Sequence, residues 1–217
     1  MKDLLYKEFK LAIHPTAFIF LSLSALLLIP SYPYYIAFIY TDLAVFFIFL
    51  LGRENQDALF SVSLPVRKRD TVKARCYVIV LIELAQIILA IPFAIIGSRI
   101  NPNPLGNLAG IEANVAFFGF VFIMYALFNG IYLPMFYKSA YKAGMPLVFA
   151  SAAIAAYIAA LEVAVQSIPF LKTYLDTWET GMLSRQIPIL VVGIGIYAVC
   201  MWLTYRKAAK NFETVDL

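Results

Sequence analysis

The chain has 217 residues, 63% of them hydrophobic and 14% charged, with a mean hydropathy of +0.83 and a formal net charge of +4. Soluble globular domains carry about 45–50% apolar and about 25% charged residues, and a fold this short has no interior able to bury the excess. The composition therefore excludes a water-soluble enzyme or nucleic-acid-binding domain and predicts an all-α integral membrane protein, a single transmembrane domain over residues 1–217. The basic residues sit at the ends of apolar runs, where anionic lipid headgroups rather than nucleic acid meet them.

Residues 1–14 read as an interfacial helix, with Leu5, Phe9, Ala12 and Ile13 on one face and Asp3, Lys7, Lys10 and His14 on the other. Lys2, Lys7 and Lys10 precede the apolar run Phe18 to Ile29 in the manner of a signal peptide. Asp3, Glu8 and the missing small-x-small pattern before Pro30 argue against cleavage. Transmembrane helices are expected over Pro15–Ile29, which is short, then Tyr34–Leu51, Cys76–Ile96, Val115–Phe136, Leu147–Ile168 and Ile187–Tyr205. With the amino end inside, 14 of the 17 Lys and Arg fall on the cytoplasmic side, leaving Arg99, Lys172 and Arg185 outside. That asymmetry requires an even number of spans. Six spans with both ends cytoplasmic are predicted, joined by residues 15–51 as spans 1 and 2, a cytoplasmic loop over 52–75, 76–205 as spans 3 to 6, and a tail over 206–217.

Two connecting segments carry further pattern. In the cytoplasmic loop a short helix between Gln56 and Leu64 brings Leu59, Phe60, Ser63 and Leu64 together, and Pro65 stops it. Exposed Leu-Phe on such a loop either lies flat on lipid or is covered by protein. After Pro169, Leu171, Tyr174, Leu175, Trp178 and Met182 oppose Lys172, Asp176 and Glu179, which predicts an external amphipathic helix. It is either a headgroup anchor or a gate.

Catalytic patterns are missing from the sequence. There is no G-x-x-x-x-G-K-[ST], no H-E-x-x-H, no G-x-S-x-G and a single histidine, His14, so no catalytic, cofactor-binding or metal residue is assigned. Cys76 and Cys200 suggest neither a disulfide nor a metal site. The chemistry left is that of acids within spans: Asp42, Glu83 with Gln86, and Glu162 with Gln166. Such groups point at protein or water, so Asp42, Asn129, Glu162 and Gln166 are expected to converge on a cavity or a subunit seam. Phe46 and Tyr157 would offer it an apolar wall. Glu83, near the basic end of its helix, is read as a structural buried acid. Each carboxyl is either a neutral hydrogen-bonding group or a proton or substrate site. Ala152, Ala156, Ala160 and Ala164 form a small-x-x-x-small face that permits close helix packing, within the chain or with another copy.

The run "RENQDALFSVSLPVRKRDTVKARC" resembles the signature of the small permeases of type-2 ABC exporters, through Ser63, Leu64, Pro65, Val66, Arg67, Asp70, Val72, Lys73 and Ala74. "LLYKEFKL" resembles the same family's amino-terminal interfacial helix. The nearest subgroup is the bacterial permeases that export amphipathic or antimicrobial peptides, such as the phenol-soluble modulin exporters. The resemblance implies a permease of the bacterial plasma membrane with no cofactor of its own, ATP and Mg being held by a cytosolic ATP-binding subunit. It further implies pairing with a second permease, as homo- or heterodimer. It makes Gln56 to Leu64 a coupling helix, with Asp57, Leu59, Phe60, Ser63, Leu64 and Arg67 as the ATPase-coupling residues, and places spans 2 and 5 along the translocation path. The alternative is a stand-alone membrane immunity protein or a secondary transporter.

Overall fold

In a solvent that offers no hydrogen bonds, each backbone amide and carbonyl must be satisfied within its own segment, which the chain achieves with helices. The computed structural model describes residues 2–12, 15–63, 65–101, 107–139 and 142–215, and among them every regular element is helical. They are α1 (Lys2–Lys7), continued by a π-helical turn (Glu8–Ala12); α2 (Thr16–Ser22), continued by a 3-10 helix (Leu23–Leu28); α3 (Tyr35–Glu54); α4 (Asp57–Ser63); α5 (Lys68–Ile100); α6 (Val115–Lys138); α7 (Gly144–Ser167); α8 (Pro169–Leu175); a 3-10 turn (Thr180–Met182); and α9 (Leu183–Glu213).

Five of them, α3, α5, α6, α7 and α9, are long and apolar enough to cross a membrane. The first expected span falls short of that length: it is the broken element Thr16–Leu28. Its break has a local cause. The Ser22 and Ser24 hydroxyls donate to the carbonyls of Ile19 (2.6 Å) and Leu21 (2.8 Å), which competes with the regular helical ladder just where it tightens to 3-10. Pro30 and Ser31, the latter at φ 62°, follow at once.

Two helices extend beyond their apolar stretches. α5 begins at Lys68 rather than Cys76, and α9 runs through Arg206, Lys207 and Lys210 to Glu213 rather than ending at Tyr205. Helix thus occupies part of the segment expected as loop over 52–75, and most of the expected tail over 206–217. These polar extensions hold each other in place. Arg69 is ion-paired with Glu213, Lys68 donates to the Val215 carbonyl at 2.8 Å, and Phe212 is buried against Tyr137 at 5.3 Å between ring centroids.

α6 is the axis of the bundle. Its residues Phe117, Val121, Met124, Tyr125, Phe128, Tyr132 and Leu133 have no exposed surface. The partner held closest is α9. A Cβ on Gly119 would stand 2.7 Å from the Ile189 carbonyl oxygen, and Gly193 faces the Gly119 backbone in return, so the two helices meet main chain to main chain. α7 packs on another side of α6 through Ala150, Ile154 and Val165. Its alanine face does not take part: Ala152, Ala156 and Ala160 are exposed.

Candidate functional site

The basic end of the bundle is organised by charge. α3 ends at Glu54, and Gln56, at φ 51°, reverses the chain into α4. Asp57 stands in the first turn of α4, where a carboxylate favours the helix dipole. It lies between two cations, ion-paired with Lys7 of α1 and with Arg75 of α5, the latter at 2.5 Å. Glu8, with no exposed surface, is paired with the same Arg75 and lies 3.6 Å from Lys7. The Ser61 hydroxyl accepts from Lys7 and donates to the Asp57 carbonyl at 2.7 Å. Two positive and two negative side chains thereby tie α1, α4 and α5 together away from water. Gly52 supplies the room, since a Cβ there would lie 3.2 Å from Arg75 Nη1. The guanidinium also stands over the Phe49 ring at 5.3 Å.

This arrangement sets the rotation of α1. The inward stripe is Leu4 and Glu8, one helical turn apart, while Phe9 is 47% exposed. The buried ion pair decides that rotation and leaves Phe9 on an outer face. α4 spans Asp57–Ser63, just inside the expected Gln56 to Leu64. It presents Phe60, 52% exposed, to the surroundings. The Ser63 hydroxyl bonds back to the Phe60 carbonyl at 2.7 Å, and Arg67 extends outward, paired with Asp70 at 3.1 Å. Leu64 and the side chain of Leu59 lie outside the described residues. Beside α4 a cleft of about 450 Å³ is lined by Leu4, Pro65, Val66, Arg67 and Asp70.

The polar residues within the spans fall into two groups rather than one. The first is at mid-bundle. Glu83 accepts from Asn129 Nδ2 at 2.7 Å and from the Tyr197 hydroxyl, and Gln86 donates to the Ala37 carbonyl at 3.3 Å. Asp42, 2% exposed, has neither carboxyl oxygen hydrogen-bonded among the described residues. Asp42 also lines a groove of about 370 Å³ between α3 and α7, floored by Phe128 of α6. Phe46 and Tyr157 lie outside the groove lining: Phe46 meets Tyr132 at 6.4 Å between centroids, and the Tyr157 hydroxyl donates to the Phe120 carbonyl at 3.1 Å.

The second group is at the opposite end of the bundle. Glu162 accepts the Ile111 amide at 3.1 Å, approaching a backbone that Gly110, at φ 156°, keeps free of side chain. Gln166 donates to Asp176 (3.2 Å), which also accepts the Glu112 amide (2.8 Å). Asn114 donates to the carbonyls of Leu175 and Thr177. These bonds stop α8 at Leu175, where Asp176 turns away from helical geometry, so the amphipathic pattern extending to Met182 is not one helix. The Glu112 carboxyl is held above its ordinary range by burial, with the nearby Asp176 carboxylate adding to the effect. Glu162 and Gln166 thus fasten a loop and a short helix over the bundle.

Of the residues that organise the site, Lys7 and Glu8 read from sequence only as charges of the amino-terminal segment, and Ser61, Arg75 and Tyr197 carry no assigned role there. Only the run of Arg75 into the apolar stretch at Cys76 hinted that a charge would be carried inward.

Long apolar helices around a buried axis, with polar helical extensions gathered at one end, define a multi-pass integral membrane protein. The sequence matches the profile of the ABC-2 family transporter proteins over residues 3–213, and the chain belongs to that family. Membership implies an ATP-binding partner subunit in general. No curated protein and no solved structure matches the chain.

Proposed function

We propose that the chain is the permease subunit of an ATP-driven exporter, with six crossings and both ends in the cytoplasm of a bacterial cell. In this reading Thr16–Leu28 forms the sixth, shortened crossing, and the basic end of the bundle faces the cytosol, in keeping with the Lys and Arg asymmetry. ATP hydrolysis belongs to a separate subunit that docks on α4. The observation that carries the reading is the construction of α4: Phe60 is held outward while Asp57, on the same short helix, is anchored to α1 and α5 by buried ion pairs. A helix built merely to rest on lipid has no use for that anchor, whereas a lever that transmits a push needs one. The exposed alanines of α7 offer a second permease a close-packing face. The cargo is an amphipathic peptide or a hydrophobic antimicrobial compound, passing along α3 and α7, between which the groove lies.

The test is co-purification from native membranes. A P-loop protein should accompany the wild-type chain and account for all ATP turnover. Phe60→Asp should lose that protein while still inserting normally, because a charge left unpaired in an apolar groove costs several kcal/mol. Unchanged co-purification of Phe60→Asp would return α4 to the lipid surface, and ATP hydrolysis by the isolated chain would end the reading altogether.

A further inference from the structure

α3 and α7 flank α6 without closing on one another, and the groove this leaves is apolar along its walls and floor. Ile36 and Tyr40 line it from α3, Phe128 from beneath, Ser151 and Ile154 from α7. Its volume, about 370 Å³, is at the small end of the range of about 300–1,000 Å³ that holds small ligands. One acidic group breaks the apolar lining. Asp42 is almost wholly buried, and neither of its oxygens has a hydrogen-bond partner among the described residues. The neighbouring acid, Glu83, is by contrast engaged by both Asn129 and Tyr197. A carboxyl group buried without a partner is expensive in a protein interior and more so at membrane depth. At the basic end Lys7, Glu8, Asp57 and Arg75 are paired with one another; Asp42, at mid-bundle, has no such partner among the described residues and lies beside an opening large enough for a ligand.

We infer that the groove between α3 and α7 binds a lipophilic cation, its apolar body against Ile36, Tyr40, Phe128 and Ile154 and its positive centre at the Asp42 carboxylate. Charge complementarity commits the site to this occupant. A lipid acyl chain would fill the walls and leave Asp42 unanswered, and an anionic amphiphile would be repelled. The role of the site as a cargo site rests on the permease reading above, but binding does not: it can be measured with no ATP-binding subunit present.

The experiment uses the full chain in phosphatidylcholine nanodiscs, with empty discs subtracted, and two probes of matched size and opposite charge, tetraphenylphosphonium and tetraphenylborate. Equilibrium dialysis should show saturable binding of tetraphenylphosphonium and none of tetraphenylborate. Asp42→Asn should weaken the cation by about tenfold or more, and Asp42→Glu should retain it. Ser151→Phe, at an exposed position of α7, fills the groove while keeping the carboxylate, and should abolish binding with no change in elution volume. Equal cation binding by wild type and Asp42→Asn, equal binding of both probes, or no saturable binding at all would overturn the inference. Binding as expected by a chain that recruits no ATP-binding subunit would leave the site standing and remove the export reading alone.

Discussion

Arg75→Met tests whether the ion cluster at the basic end is a single unit. The substitution keeps an unbranched, flexible stem and removes the guanidinium with its charge. Glu8, with no exposed surface, and Asp57, 15% exposed in its side chain, then share Lys7 as their only cation in the cluster. At an effective dielectric constant of about 20, one charge about 4 Å from another contributes about 4 kcal/mol, so Lys7 can compensate one carboxylate and not both. An uncompensated buried charge costs about 3–5 kcal/mol, which is the expected loss in a detergent-titrated unfolding equilibrium followed by circular dichroism. Glu8→Gln in the same background restores neutrality, leaving Lys7 to Asp57. The double variant should therefore recover about 2 kcal/mol relative to the sum of the single losses, inside the range of about 0.5–3 kcal/mol seen for residues of one network. Additivity within about 0.5 kcal/mol would refute the idea that these four side chains act together, and α4 would then have no anchor in α5.

Glu83 should behave as a hydrogen-bonding group. Tyr197→Phe should destabilise by about 1–3 kcal/mol, the penalty of an unsatisfied buried acceptor, and Glu83→Gln by less than Glu83→Ala in the same unfolding assay; the reverse order would mean that its charge is what matters. Glu112 gives a pH dependence at the opposite end. Because burial holds its carboxyl above the ordinary value of about 4.3, its contribution to stability is full below that pH and is lost as pH rises through the folded-state value. Glu112→Gln should flatten this fall, measured as hydrogen exchange in residues 107–114 between acid and neutral pH; an unaltered profile would place the titration elsewhere.

Much of the bundle was legible because the apolar runs are long: α3, α6 and α7 fall within a few residues of the stretches Tyr34–Leu51, Val115–Phe136 and Leu147–Ile168. Hydropathy failed where helices are sustained by tertiary partners instead of by apolar content. Lys68 to Arg75 and Arg206 to Glu213 read as polar loop and tail, yet they are helical because they pack on each other, through Arg69–Glu213 and through Lys68 over the Phe212 ring. The short α4 was visible through Leu-Phe and Pro65. Its anchor was not, because Asp57 and Arg75 are 18 residues apart and Lys7 lies further still, a pairing that no local pattern encodes. The polar residues of the spans were found individually, but their separation into a mid-bundle group and a loop-fastening group depends on the heights at which helices sit relative to one another. Asp176, the residue that joins Gln166 to the Glu112 amide, read only as one polar position of an amphipathic helix.

The glycine contact between α6 and α9 also bears on how the chain is assembled. Gly119 and Gly193 form the closest helix pairing described, yet α7 and α8 are synthesised between them. During synthesis α6 must wait in the bilayer with its glycine face bare and with Glu83, on the already inserted α5, still lacking the Tyr197 hydroxyl that α9 brings. α9, which emerges after α5 and α6, therefore both closes on the axis and completes the hydrogen bonding of a membrane-buried acid. A chain truncated before Leu183 would expose two defects at once, a bare backbone strip at Gly119 and an underbonded carboxyl at Glu83. The α6 backbone face and the Glu83 carboxyl thus wait for the same helix.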